Sequence, residues 1–257
     1  MKRILTFILT LTLALSFCVN SFAAATTATA SETQTGTSEA QTDTSKTQAG
    51  TSEAQTDTSK VQAGASYGIS NLSGAPDIVA ESAVVMDANT GTILYGKEAD
   101  TKRYPASITK VMTALLAVEN CKMSDVITYS NAAVNGIEAG SSTAGINVGA
   151  KLTVEDSLYA LMLVSANEAA AAIAEHISGS TTEFAKLMTK RAKELGCTNT
   201  QFKNPHGLPN EEHYTTAHDM GLILKEAMKH EEFRKISGTI SYTLKKSDTL
   251  KDTLELW

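Results

Sequence analysis

Apolar residues are unevenly spread along the chain of 257 residues, and their spacing divides it into three stretches. The first, residues 1–25, opens with Lys2 and Arg3, continues through the apolar run "ILTFILTLTLALSF" and ends in the small residues "SFAAA". A basic start, an apolar centre and small residues suited to cleavage make an export signal. An uncleaved membrane anchor is the competing reading, and the small residues count against it. The bulky Phe17 before Cys18 argues against lipidation at that cysteine.

The second stretch, residues 26–75, shows no apolar period. It contains "TSEAQTDTSKTQAG" at 37–50, repeated at 51–64 with one substitution. Thr, Ser, Ala, Gln and Gly without aromatics bury too little apolar surface to offset the entropy of ordering, so this is a low-complexity linker. Two short polar copies do not make a stacked repeat architecture.

Periodicity begins in the third stretch, residues 76–257, which is read as one domain. In "SAVVMDANTGTILYGK", at 82–97, two apolar runs flank a turn-forming "DANTG" and predict a β-hairpin. The near-continuous apolar runs predict burial on both faces. Pro105 opens a helix expected to run to about Glu119. Thr153 with Asp156 three residues later caps "LTVEDSLYALMLVS", and helical patterning continues in "NEAAAAIAEHI" after Asn167. Further helices are predicted over "TEFAKLMTKRAKELG", ended by Gly196, and over "TAHDMGLILKEAMKH". "TISYTLKK" alternates like a strand. A hairpin, a run of helices and returning β structure predict an α+β domain, with an antiparallel sheet packed against a helical layer.

The net charge of -6 and the absence of Lys/Arg blocks argue against nucleic acid as a partner. Cys121 and Cys197 are the cysteines left after removal of an export signal, and the sequence leaves open whether they pair or remain separate thiols.

Candidate chemistry starts at "YPASITK". Ser107-Ile108-Thr109-Lys110 is the one S-x-x-K in the chain, and a spacing of three on a helix lets the amine reach the hydroxyl. Taken alone, the pair is better explained as a helix-start serine beside an ordinary solvated lysine. Ser165-Ala166-Asn167 is the one S-x-N, at the break between two predicted helices, where capping would by itself explain both polar residues.

The two motifs occur together, and with them "AVVMDANTGTILYGKEAD", "GSSTAGINVG", "ELGCTNTQFKNPHGLP" and "HYTTAHDM". In this combination residues 76–257 resemble the low-molecular-weight D-alanyl-D-alanine carboxypeptidases of peptidase family S11, which are penicillin-recognising serine enzymes. The resemblance implies a β-lactamase/DD-peptidase-like fold, a peptidoglycan stem pentapeptide ending in D-Ala-D-Ala as substrate, and β-lactams as acylating ligands. It implies that Ser107 is the nucleophile, assisted by the field of the helix start and by its own N–H as half of an oxyanion hole. Lys110 would take the serine proton, provided that burial or nearby positive charge lowers its pKa. Ser165 would relay a proton to the leaving amine, and Asn167 would hold Lys110 and the substrate amide. No metal or organic cofactor is implied. The location implied is extracytoplasmic, at the cell wall or the outer face of the cytoplasmic membrane, with peripheral association.

The family's Lys-Thr-Gly strand motif is not found before Trp257, so the chain is expected to be a fragment whose sheet is incomplete at the C-terminus. A class A β-lactamase is the nearest rival, but it has Ser-Asp-Asn and a downstream Glu-x-x-Leu-Asn, neither of which occurs here. A metallopeptidase is suggested by His206, His213 and His218, whose spacing is not H-E-x-x-H. A Ser-His-Asp hydrolase would need G-x-S-x-G. A catalytically inactive wall-binding module is the non-enzymatic alternative, and acylation of Ser107 separates it from the enzyme.

Overall fold

The computed structural model describes residues 78–257. The export signal, the repeat linker and the expected boundary at residue 76 lie outside the described residues.

Strands β1 (Ala83–Met86) and β2 (Ile93–Lys97) form the expected hairpin, paired antiparallel with a bulge between Val85 and Met86. Asp87 builds the turn: its Oδ1 accepts from the N–H of Asn89 at 3.1 Å and of Thr90 at 2.7 Å. Gly91 supplies the left-handed backbone, at φ +80°, that closes it. The expectation of two-sided burial is corrected, because Val85 is 51% and Leu94 42% exposed. One face packs and the other meets solvent, as antiparallel pairs commonly do. The packed face lies on helix α6 (Ala217–Ala227), where a β-carbon on Gly221 would come 3.0 Å from Val84 Cγ1.

Helix formation after Pro105 occurs in two steps. Residues Ala106–Thr109 make a 3₁₀ turn, and the α-helix proper, α1, spans Lys110–Asn120. Ser107 therefore sits in a 3₁₀ turn leading into the helix. Next come β3 (Val126–Thr128), the short α2 (Asn131–Asn135) and β4 (Lys151–Thr153), which pairs antiparallel with β3. Strands of three residues are too short to display a period of two, which is why the sequence pattern missed them. Helix α3 (Val154–Leu163) starts with the capping box read from the sequence: Thr153 Oγ1 accepts from Asp156 N–H, and an Asp156 oxygen accepts from Thr153.

Helix α4 (Asn167–Ser178) is the centre of the domain. Its residues Ala169 to Ala174 are all buried, and it packs against α1, α2, α3 and α5 (Thr181–Glu194). Alanines on every side let these neighbours approach closely, while Leu115, Leu116, Leu158 and Phe184 fill the spaces between them. Burial of each of these larger side chains stabilises the fold by roughly 1.5–3 kcal/mol. Gly196, at φ +91°, follows α5 as expected. The helix predicted over 216–230 ends at Ala227, and a separate helix that the sequence pattern did not single out, α7 (Glu231–Ser237), follows it with Phe233 and Ile236 buried.

Strand β5 (Tyr242–Leu244) is shorter than "TISYTLKK" suggested and pairs with β6 (Leu254–Leu256). The α+β class holds, but the β structure of the described residues forms three separate two-stranded antiparallel pairs around the helices. Cys121 and Cys197 are free thiols. Among the described residues no helix is long and apolar enough to cross a membrane.

Candidate active site

The turn that carries Ser107 is held from below by the loop "NPHGLPNEEH" at 204–213. Asn204 organises this loop, since its Oδ1 accepts from Gly207 N–H at 2.7 Å and its Nδ2 donates to the Leu208 carbonyl at 2.9 Å. Thr113 Oγ1 on α1 donates to the Pro205 carbonyl at 2.6 Å. Gly207, at φ +88°, lies directly against Ala106. His213 completes the attachment. Its Nδ1 accepts from Lys203 N–H at 3.2 Å, so the neutral ring carries its proton on Nε2, which donates to Thr109 Oγ1 at 2.9 Å.

This scaffold orients the S-x-x-K pair. Lys110 is buried, 3% exposed, and its Nζ donates to Ser107 Oγ at 3.3 Å and to the His206 carbonyl at 3.0 Å. Burial pulls the Lys110 pKa down to about 8, against the opposing pull of the Glu168 carboxylate. Desolvation wins, and about a tenth of the amine is neutral at pH 7. Ser107 itself is exposed to the cavity described below.

The S-x-N segment meets the same oxygen. Ser165 Oγ donates to Ser107 Oγ at 3.0 Å. Ser165 adopts φ +57° and Ala106 φ +48°, both uncommon for residues with a β-carbon, so backbone strain falls on both sides of Ser107. Asn167 begins α4, buried at 3%, and its N–H donates to the Ser142 carbonyl at 3.0 Å. The expected hold of Asn167 on Lys110 is not made: the ammonium bonds Ser107 and His206 instead, and Asn167 lines the cavity.

Glu168, the next residue, was not singled out in the sequence. It is 2% exposed, and its Oε1 accepts from Thr143 Oγ1 at 2.6 Å and from the N–H groups of Ala144 at 2.7 Å and Gly145 at 3.1 Å. Its Oε2 is buried without a protein partner among the described residues. The carboxylate thus fixes the loop that follows Gly140–Ser142, which forms one wall of the site. An acidic residue after S-x-N at a helix start was the available sequence signal, masked by its equal fit to an ordinary first-turn acid.

Ser107, Asn167, Ser142, His206 and Asn210 border a cavity of about 730 Å³, within the range that accommodates a small ligand or peptide end. A second cavity of about 680 Å³, beside Lys102 and Tyr214, contains no serine hydrogen-bonded to a lysine. The three histidines considered as metal ligands have separate surroundings. His206 borders the cavity and His213 braces Thr109, while His218, on α6, pairs with Asp100 at 3.0 Å. Burial lowers both His206 and His213 to about 4, with the Lys110 charge adding to the effect on His206.

The chain also resembles known proteins in sequence and in structure. The family described as D-alanyl-D-alanine carboxypeptidase, peptidase S11, matches residues 70–255. The chain is 42% identical over 177 residues to D-alanyl-D-alanine carboxypeptidase DacF of Bacillus subtilis, covering 67% of this chain and 45% of that protein. Among solved structures, it is similar to the Streptomyces K15 DD-transpeptidase, with a TM-score of 0.64 and 34% identity, covering 70% of this chain and 74% of that one. It is also similar to penicillin binding protein 5 from Haemophilus influenzae, with a TM-score of 0.63 and 32% identity over 69% of this chain and 54% of that one. The chain spans less than half the length of the Bacillus relative.

Proposed function

Because the chain belongs to the D-alanyl-D-alanine carboxypeptidase family, peptidase S11, we propose that it is a serine-type carboxypeptidase that removes the terminal D-alanine from peptidoglycan stem peptides. Supporting this is the convergence of two hydrogen bonds on Ser107 Oγ, from Lys110 Nζ at 3.3 Å and from Ser165 Oγ at 3.0 Å, at the wall of the cavity.

In this reading Ser107 Oγ attacks the carbonyl carbon between the two D-alanines, and its proton passes to neutral Lys110. The tetrahedral intermediate collapses with cleavage of the C–N bond, and the departing amine takes a proton by way of Ser165. Water then attacks the ester, Lys110 accepts a proton again, and the shortened peptide leaves with Ser107 restored. Asn167 holds the substrate amide from the cavity wall. β-Lactams acylate the same oxygen, in keeping with the name of the Haemophilus relative.

The proposal extends to the rest of the chain. Residues 1–25 direct export and 26–75 space the domain from its point of origin. The domain works outside the cytoplasmic membrane, associated with wall or membrane surface, where trimming pentapeptides limits cross-linking and affects cell shape.

Incubation with a fluorescent penicillin, followed by intact mass, tests the assignment. A covalent adduct on the folded protein that is lost in Ser107→Ala is the expected result. An adduct that survives in the variant, or a folded protein that takes no label, overturns it.

A further inference from the structure

Away from the Ser107 site, two groups of side chains have metal-ligating atoms within 4.8 Å of one another: Glu119, Glu226 and His230, and Cys121, Asp125 and His176. In the first, a cation is already supplied. Arg191 donates to Glu119 at 2.6 and 3.0 Å and lies 3.7 Å from Glu226. No such ion pair occupies the second among the described residues.

We propose that Cys121, Asp125 and His176 bind zinc or a similar borderline-soft divalent cation where the ends of α1 and α4 meet. Thiolate, carboxylate and imidazole are the donor set such ions take, with three protein ligands and a fourth position for water. Tetrahedral zinc bonds would bring the donor atoms to about 3.3–3.6 Å from one another. The donor atoms already lie within 4.8 Å of one another, and the remaining closure requires small side-chain rotations, which the exposed His176 has room to make.

Two further features favour the site. The backbone of the first two ligands is already fixed: Cys121 N–H donates to the Ala117 carbonyl at 3.0 Å, and Val154 N–H to the Asp125 carbonyl at 2.8 Å. Asp125 Oδ2 accepts from Lys122 N–H at 2.8 Å, an outer hydrogen bond of the kind that orients a ligating carboxylate. Cys121 caps the C-terminus of α1 and His176 lies in the last turn of α4, so two negative helix ends converge on the cation. Binding exchanges one proton for the metal, Cys–SH plus M²⁺ giving Cys–S–M⁺ plus H⁺. Helix α1 is 11 residues long, which places the site about 16 Å along it from Lys110. Its effect would be to join α1 to α4 at the end opposite the catalytic pair.

Titration of the metal-free full chain with Co²⁺ tests the proposal. A thiolate-to-cobalt charge-transfer band in the near ultraviolet is expected, displaced by Zn²⁺ and retained in Cys197→Ser. Cys121→Ser should lose the band, and His176→Gln should weaken binding roughly tenfold or more, with penicillin labelling of Ser107 unchanged in both. Absence of the band in the wild type, or its survival in Cys121→Ser, overturns the proposal. Because labelling is read separately, failure of the metal site and failure of the carboxypeptidase reading are distinguishable.

Discussion

Gly207 lies so close to Ala106 that a β-carbon on Gly207 would overlap the Ala106 carbonyl oxygen. The contact couples two segments a hundred residues apart, and it seats the turn bearing Ser107 on the loop whose His206 carbonyl holds Lys110.

Gly207→Ala is therefore expected to harm the fold and the site together. The left-handed backbone and the collision combine to cost on the order of 2–4 kcal/mol. Urea unfolding would measure the loss, and penicillin labelling of the fraction that remains folded should slow. Wild-type stability and labelling in Gly207→Ala would show that the loop yields freely.

Lys110 sets the pH dependence of acylation. As the base it must be neutral, and its pKa is about 8. The rate of penicillin labelling should rise about tenfold per pH unit below that value and level off above it. A rate unchanged between pH 6 and 9 would exclude Lys110 as the proton acceptor.

Glu168→Gln should displace that profile. The carboxylate raises the Lys110 pKa, so removing its charge moves the rising limb to lower pH. The substitution also weakens the hydrogen bonds from Thr143, Ala144 and Gly145, so a stability loss of about 1.5–3 kcal/mol is expected. A stability loss without movement of the limb would confine Glu168 to holding the loop.

His213 makes the domain sensitive to acid. Its pKa is about 4 in the fold against an ordinary 6.5, so the unfolded chain binds more protons between those values. Stability should be complete above pH 6.5 and decline as the pH falls toward 4, by on the order of 3 kcal/mol for this buried ring. His206 adds in the same direction. Urea midpoints at pH 7 and pH 5 would measure the decline, which should shrink in His213→Gln.

Much of this domain is determined by local sequence. The hairpin around "DANTG", the Thr153–Asp156 capping box, the helix after Asn167 and the stop at Gly196 follow from turn chemistry and apolar spacing over a few residues, which act the same way in any surroundings. The pairing of Ser107 with Lys110 was legible for the same reason, since three residues of helix or 3₁₀ turn suffice to bring them together. The approach of Ser165 to Ser107 was implied by the family resemblance, because spacing alone does not bring residues 58 apart into contact.

Tertiary structure decided the rest. That Lys110 is buried deeply enough to be about half neutral at pH 8 depends on the loop at 204–213 closing beneath it. The redirection of Lys110 from Asn167 to the His206 carbonyl, the pinning of the 143–146 loop by Glu168 and the separate placement of His206, His213 and His218 are likewise long-range results. So is the exposure of one face of a hairpin whose composition suggested two buried faces. Desolvation and packing depend on what lies across the fold from a residue, whereas periodicity and capping record only what lies beside it in the chain.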